Sequence, residues 1–538
     1  MDWLSDVGVP MRDGTRLSAE VYLPAGEDPV PAILLRTPYD NSAEPYWRMA
    51  ERYAGAGYAV VVQDCRGRGD SDGRFRHFDE IADGLDTIDW VGGQAWCDGQ
   101  VAMTGLSYES WVQLSVAGAG NPHLRCLVPA MMTAALDTEL IYRDGALQLQ
   151  LVLGWLATVR GRGMRNLAHL DPGRAFAALP LAEADRGFGG ELPRWRDWLS
   201  WPADDERWST FRVEDRDRIE LPLLQVSGWF DFHAMAVLDT FEAVRRNGVG
   251  STDQSRVIIG PWKHDYEYWT QTEVGEMDCG ADAAIDLPGV ELAWFDRWLK
   301  GAEPSSLEAP LRLFVMGENR WRDEYEWPLA RTEWRHLYLH SSGTAAAAEG
   351  SLTDSAPDAE ETPDTFAYDP ADPVPTLGGP CDPFMGPVDR REVATRDDVV
   401  TYTTAPLSED LEVTGPIAAV LYVESETPAA GWSVHLTDVA TDGRAWGLCE
   451  ALLETGRATG VETLPQGDGS TLRRVELRVG VTSYVFPAGH RIRVEVSASN
   501  FPRFARSPDP GRRRVHHGAA TPSHLVLPTI PRERKESR

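Results

Sequence analysis

Two kinds of hydrophobic periodicity divide the chain. In the first third, short apolar runs rich in β-branched residues alternate with stretches whose apolar positions recur every three or four residues. That alternation predicts a mostly parallel sheet covered by helices on both faces. Residues 31–36 (PAILLR) and 58–63 (YAVVVQ) read as strands, with a helix over 47–55 between them. Residues 78–92 then place Ile81, Leu85, Ile88 and Val91 at helical spacing, with acids near the start. Residues 101–105 (VAMTG) read as a buried strand running into a helix that begins near Ser107.

From 133 to 219 the sequence turns rich in Leu, Ala, Trp and Arg, with only isolated β-like pieces, and predicts a helical insertion. The α/β pattern resumes at 221–227 (LPLLQVS) and 256–260 (RVIIG) and closes with a helix over 290–300. Beyond 301 the chain becomes strand-rich, as at 312–316 and 337–340. The clearest alternation comes late: Arg491, Arg493 and Glu495 fall on one face of a strand, and Ile492, Val494 and Val496 on the other. These signals predict an α/β body over 1–132 and 220–301, a helical cap over 133–219, and a β-sandwich or jelly roll over 302–538, with 344–363 as a surface loop within it. A length of 538 residues fits two or three such domains.

A formal net charge of −31 argues against nucleic acid and anionic membranes as partners, because the long-range field repels polyanions. The first residues lack the basic and apolar regions of a signal peptide, and no run approaches the roughly 20 apolar residues of a membrane span. A cytoplasmic location is the resulting expectation. Six cysteines, at 65, 97, 126, 279, 381 and 449, include no C-x-x-C pair and read as reduced, buried thiols. His516 and His517 are followed by no further ligands at metal spacing, so neither metal nor other cofactor is expected. Homo-oligomerisation is left open.

The chemistry-bearing residues cluster at strand ends. Gly105-Leu106-Ser107-Tyr108 lies where a nucleophile elbow would hold a serine on a sharp turn between strand and helix. Glu109 occupies the place of the second glycine in G-x-S-x-G, so the motif alone reads more readily as a buried structural serine. A serine nucleophile needs a histidine base held by a carboxylate. Gly228-Trp229-Phe230-Asp231 follows one late strand and Gly260-Pro261-Trp262-Lys263-His264 the next. Asp231 and His264 would thus emerge at the same end of the sheet as Ser107, in the order of α/β-hydrolases. Taken singly, they read as a turn carboxylate and a solvated loop imidazole.

Arg36-Thr37-Pro38-Tyr39, the loop from Asp64 to Gly73 (DCRGRGDSDG), and the Ser107, Asp231 and His264 motifs occur together and in order. With them the chain resembles the cocaine esterase and X-prolyl dipeptidyl peptidase family, which includes α-amino acid ester hydrolases. The resemblance implies an α/β-hydrolase core, a helical cap and a C-terminal jelly roll across essentially the whole chain. It further implies Ser107 as nucleophile, His264 as base, Asp231 as its orienting acid, and Tyr39 with the Tyr108 backbone N–H as oxyanion donors. The departure is just after the nucleophile, where Ser110 stands in place of a glycine common in the family. Trp229, Phe230, Phe232 and His233, with Trp155, Trp195 and Trp198 of the cap, are candidates for the substrate pocket, against core packing as the plainer reading. Glu109 is a candidate for binding a substrate amine, against a first-turn helix carboxylate. Asp64 and Arg66 are expected to pair within their loop. The implied reaction is hydrolysis of a small-molecule ester or amide through an acyl-enzyme. An X-Pro dipeptidyl peptidase, an acylase or α-amino acid ester hydrolase, and a non-catalytic binding protein are the rivals.

Overall fold

The computed structural model describes residues 1–213, 219–247, 254–303, 308–346, 349–380, 386–465 and 471–531. Its central sheet is built from β1 Asp2–Pro10, β2 Arg16–Leu23, β3 Val30–Thr37, β4 Ala59–Asp64, β5 Cys97–Leu106, β6 Leu124–Ala130, β7 Leu224–Phe230, β8 Arg256–Lys263, β9 Leu311–Val315 and β10 Arg320–Glu324. Across the sheet the order is β1-β2-β4-β3-β5-β6-β7-β8-β9-β10. From β4 to β9 neighbouring strands are parallel, and the outer pairs are antiparallel.

The flanking helices are α1 Glu44–Gly55, α2 Ile81–Gly92, α3 Tyr108–Leu114, α4 Leu149–Thr158 in the cap, α5 Ala234–Asn247 and α6 Leu287–Lys300. Period-two alternation sorts the strand residues between two layers. Ile33, Val60 and Val62 pack with Tyr46 and Tyr53 of α1 and Phe295 of α6. Leu34, Val61 and Met103 pack with Ile88 of α2 and Trp111 of α3. Burial on both faces explains why these strands read as continuous apolar runs.

Several expected boundaries move. Helix α2 starts at Ile81 rather than 78, because His77 and Phe78 sit at φ 36° and 68°, outside the helical region. Strands β1 and β2, unread in the sequence, extend the sheet. The cap is less helical than expected: α4 is accompanied by short helical turns and a small hairpin, Tyr142–Arg143 with Ala146–Leu147. A core of Trp195, Trp198, Trp208 and Phe211 holds them together. The body does not end at 301. β9 pairs in parallel with β8 and carries β10 with it, so two strands assigned to the C-terminal domain complete the catalytic sheet. An apolar run such as 312–316 identifies a strand but cannot say which sheet satisfies its hydrogen bonds.

The remaining strands, from Glu333–His340 to His524–Ile530, form the expected C-terminal β-sandwich. Its longest pair is Leu411–Ser425 with Thr471–Phe486. In Arg491–Ser497 the residues Ile492, Val494 and Val496 are buried as expected, but Glu495 is buried too, paired with Arg390 at 2.9 Å. A single apolar cluster runs from Val237, Leu238 and Phe241 of α5 through Leu311 and Leu313 into the sandwich, joining it to the catalytic body. The cysteines at 65, 97, 126, 279 and 449 are buried and unpaired; Cys381 lies outside the described residues. No described helix is long and apolar enough to cross a membrane.

Candidate active site

The geometry begins at the turn between β5 and α3. Ser107 holds φ 61° and ψ −121°, a strained conformation for a residue with a side chain. Gly105 makes the turn possible: it sits at φ 147°, and a Cβ there would lie 2.4 Å from Glu109 Cβ. The Ser107 N–H donates to Ala130 O of β6 at 2.9 Å. The Ser110 hydroxyl, in place of the family's glycine, sits 2.7 Å from the carbonyls of Gly105 and Ala130 and accepts the Ala130 N–H at 2.8 Å. A polar side chain at this position thus ties the elbow strand to its neighbour.

Asp231 follows β7 and His264 follows β8, neighbours in the sheet. His264 Nδ1 and Asp231 Oδ1 are 2.9 Å apart, with the Asp231 side chain fully buried. Asp231 also accepts the Ser227 hydroxyl and, at 3.2 Å, the His233 N–H. Burial alone would raise its pKa, but the hydrogen bond and charge of His264, with help from His233 and Ser227, hold it below the usual carboxylate value. An ionised Asp231 favours the tautomer with the proton on Nδ1. The Phe232 ring stacks on the imidazole at 4.4 Å between centroids. Ser107 and His264 line the same cavity, of about 210 Å³.

Tyr39, just past β3, lines that cavity as well. Its hydroxyl accepts the Trp155 Nε1–H at 3.1 Å and reaches the Ser107 side chain. Burial pushes the phenol pKa well up, so it stays a neutral donor. The Tyr108 N–H is a first-turn amide of α3 with no intrahelical acceptor. The Tyr108 phenol is engaged elsewhere, donating to Glu80 at 2.8 Å and accepting the Phe78 N–H at 2.7 Å.

The pocket candidates separate cleanly. Phe232, His233, Trp155 and Trp198 line the cavity with Phe78, a wall residue that the sequence reading did not single out. Trp229 and Phe230 do not. Both lie within β7 and pack into the apolar cluster shared with the sandwich, and Trp229 Nε1–H donates to Phe314 O at 2.7 Å. Trp195 is in the cap core, bonded to Leu181 O. Glu109 also points away: two residues past Ser107 is about 200° around a helix. Its carboxylate accepts the Leu106 N–H at 2.9 Å, the Thr37 hydroxyl at 3.0 Å and the Tyr46 hydroxyl, on the α1 side of the sheet. The expected Asp64–Arg66 pair is replaced. Arg66 bridges Asp83 and Asp13, while Asp64 accepts the backbone N–H groups of Asn41 and Asp70. Sequence reasoning missed Ser227 and the Trp155–Tyr39 bond. The second joins residues 116 apart and leaves no local pattern.

Residues 13–266 match the X-Pro dipeptidyl-peptidase (S15 family), and residues 306–528 match the X-Pro dipeptidyl-peptidase C-terminal non-catalytic domain. The chain is 35% identical to cocaine esterase of Rhodococcus sp. (strain MB1 Bresler), over 98% of either protein. It belongs to the cocaine esterase and X-prolyl dipeptidyl peptidase family. Among solved structures, an aminopeptidase from the marine sediment archaeon Thaumarchaeota archaeon has a TM-score of 0.84 at 22% identity, covering 99% of this chain and 97% of its own. An α-amino acid ester hydrolase has a TM-score of 0.83 at 24% identity, covering 98% and 97%. These likenesses establish a shared fold along the whole length. As a member of this family the chain is a serine hydrolase.

Proposed function

We propose that this hydrolase cleaves esters of apolar, ring-bearing or branched carboxylic acids, with Ser107 as nucleophile, His264 as general base and then acid, and Asp231 orienting the imidazole. The observation that carries the preference is the lining of the cavity. Among the described residues it includes no Asp, Glu, Lys or Arg, while Phe78, Trp155, Trp198 and Phe232 wall it. A substrate ammonium, as on a dipeptide or an α-amino ester, would lose its hydration there without meeting a counter-ion.

Ser107 Oγ attacks the ester carbonyl as His264 Nε2 takes its proton, and the oxyanion is met by the Tyr39 hydroxyl and the Tyr108 N–H. The imidazolium, held by Asp231, gives the proton to the departing alkoxide. Water activated by His264 then releases the acid from Ser107. His233 supports a polar contact on the acyl group: it is fully buried, and neither ring nitrogen has a partner among the described residues. Burial pulls its pKa down to about 3, so it offers a neutral donor and acceptor. The Trp198 indole N–H, also without a partner among the described residues, belongs to a ring on the wall of the same cavity.

The test is a specificity panel of p-nitrophenyl esters with neutral aromatic, branched and linear acyl groups, beside X-Pro-p-nitroanilide and an α-amino ester. The highest kcat/KM is expected for a neutral aromatic or branched ester. Preference for the nitroanilide or the amino ester would overturn this reading.

A further inference from the structure

A second cavity, of about 340 Å³, lies between α1 and α6, against the ends of β3, β5 and β6, and shares no lining residue with the first. Its walls include Tyr46, Tyr53, Tyr266, Tyr268 and Trp269, with Leu287 among the aliphatic contacts. Two carboxyls, Glu109 and Glu291, are set among these rings, and a third, the exposed Glu267, also lines the cavity. Glu291 Oε2 accepts the Tyr53 hydroxyl, and no described residue engages its Oε1. Arginines stand at the rim: Arg48 pairs with Glu44, and Arg52 pairs with Asp286 at 2.8 Å while its charge also reaches Glu291.

This chemistry selects one class of ligand. Ring faces carry negative potential and attract cations, and the two carboxyls provide charge partners at the same place. An anion would be repelled, and a purely apolar molecule would strip water from the carboxyls without replacing it. The volume falls within the ordinary range of small-molecule sites, and the net charge of −31 concentrates cations around the protein. We propose that this cavity is a binding site for a small organic ammonium ion bearing an aryl or branched alkyl group, distinct from the acyl pocket.

The carboxyls match such a ligand in their titration. Burial raises both to about 7, against the lowering effect of Tyr46, the Leu106 N–H and Thr37 on Glu109, and of Tyr53 and Arg52 on Glu291. Tyr266, Glu267 and Tyr268, from the loop after β8, line the cavity beside them, with Arg48 and Arg52 at the rim. A bound cation favours the ionised forms, so binding near neutral pH releases protons. Glu109 also holds the Leu106 N–H, one residue before Ser107, which places the ligand close behind the elbow.

The test is calorimetric titration of the full chain with benzylammonium, before and after Ser107 is blocked by a phosphonate, with benzyl alcohol as the neutral control. One site is expected in both states, with proton release near neutral pH read from buffers of different ionisation enthalpy, and far weaker binding of the alcohol. Glu291→Gln, with its fold checked by circular dichroism, should bind the cation about tenfold more weakly through loss of a charge-assisted contact. Trp269→Leu should weaken it independently through loss of a ring face. Absence of saturable heat, loss of binding when Ser107 is blocked, or unchanged affinity in both variants would overturn the proposal.

Discussion

Replacing Tyr39 by Phe removes one hydroxyl and leaves the ring in place. Two effects follow and can be read separately. The Trp155 Nε1–H, which donates to that hydroxyl at 3.1 Å, loses its acceptor. The site is only partly buried, so the cost falls near the low end of the usual penalty, about 1 kcal/mol, and the melting temperature should drop by no more than a few degrees. The catalytic effect is larger. The hydroxyl is one of two donors proposed for the oxyanion, and losing such a donor costs about 3 kcal/mol of transition-state stabilisation, or about 10² in kcat. KM should change little, because the ground-state carbonyl carries far less charge than the oxyanion. Steady-state hydrolysis of a p-nitrophenyl ester, run beside a thermal melt, measures both effects. A folded Tyr39→Phe protein with kcat within about threefold of the parent would refute the donor role.

Asp231→Asn should lower kcat by about 10³–10⁴ with little change in KM, since the amide no longer holds the imidazole proton on Nδ1; steady-state kinetics checks it. Burial lifts the Glu109 carboxyl from 4.5 to about 7, so the stability it contributes is complete below the unfolded value and is lost as pH rises through the folded one. Glu109→Gln cannot ionise, and the melting temperature of the variant relative to the parent should therefore climb between about pH 5 and pH 8. A chain ended at Gly301 would leave the β8 edge without β9 and strip Val237, Leu238 and Phe241 of their partners in the sandwich. It should bind 8-anilinonaphthalene-1-sulfonate and lack a cooperative melt, as scanning calorimetry would report.

What was legible from sequence follows how local each signal is. The elbow could be read because an apolar strand, a small residue and a serine stand side by side. Asp231 and His264 could be read because each follows a buried strand, and parallel strands deliver their ends to one side of the sheet. Side-chain direction was less accessible. Phe232 and His233 lie past the end of β7 and reach the cavity, whereas Trp229 and Phe230, still within the strand, are turned into the layers beside it. Glu109 is next but one to the nucleophile in sequence and faces another cavity, because helical rotation outweighs proximity along the chain. The edges were hardest. The apolar run of 312–316 identifies a strand, 320–324 carries no comparable signal, and pairing with β8 rather than with the sandwich is decided by long-range hydrogen bonds. The bond between Trp155 and Tyr39 depends on how the cap folds over the body, which no local pattern encodes.

The central claim is that the strained serine at the end of β5 becomes acylated. Mass spectrometry of the protein after reaction with an aryl phosphonate ester, with peptide mapping, tests it directly. One adduct per chain on Ser107, matched by complete loss of ester turnover and absent from Ser107→Ala, is the predicted result. An adduct on another residue, or a Ser107→Ala protein that turns over ester at the parent's rate, would contradict the account.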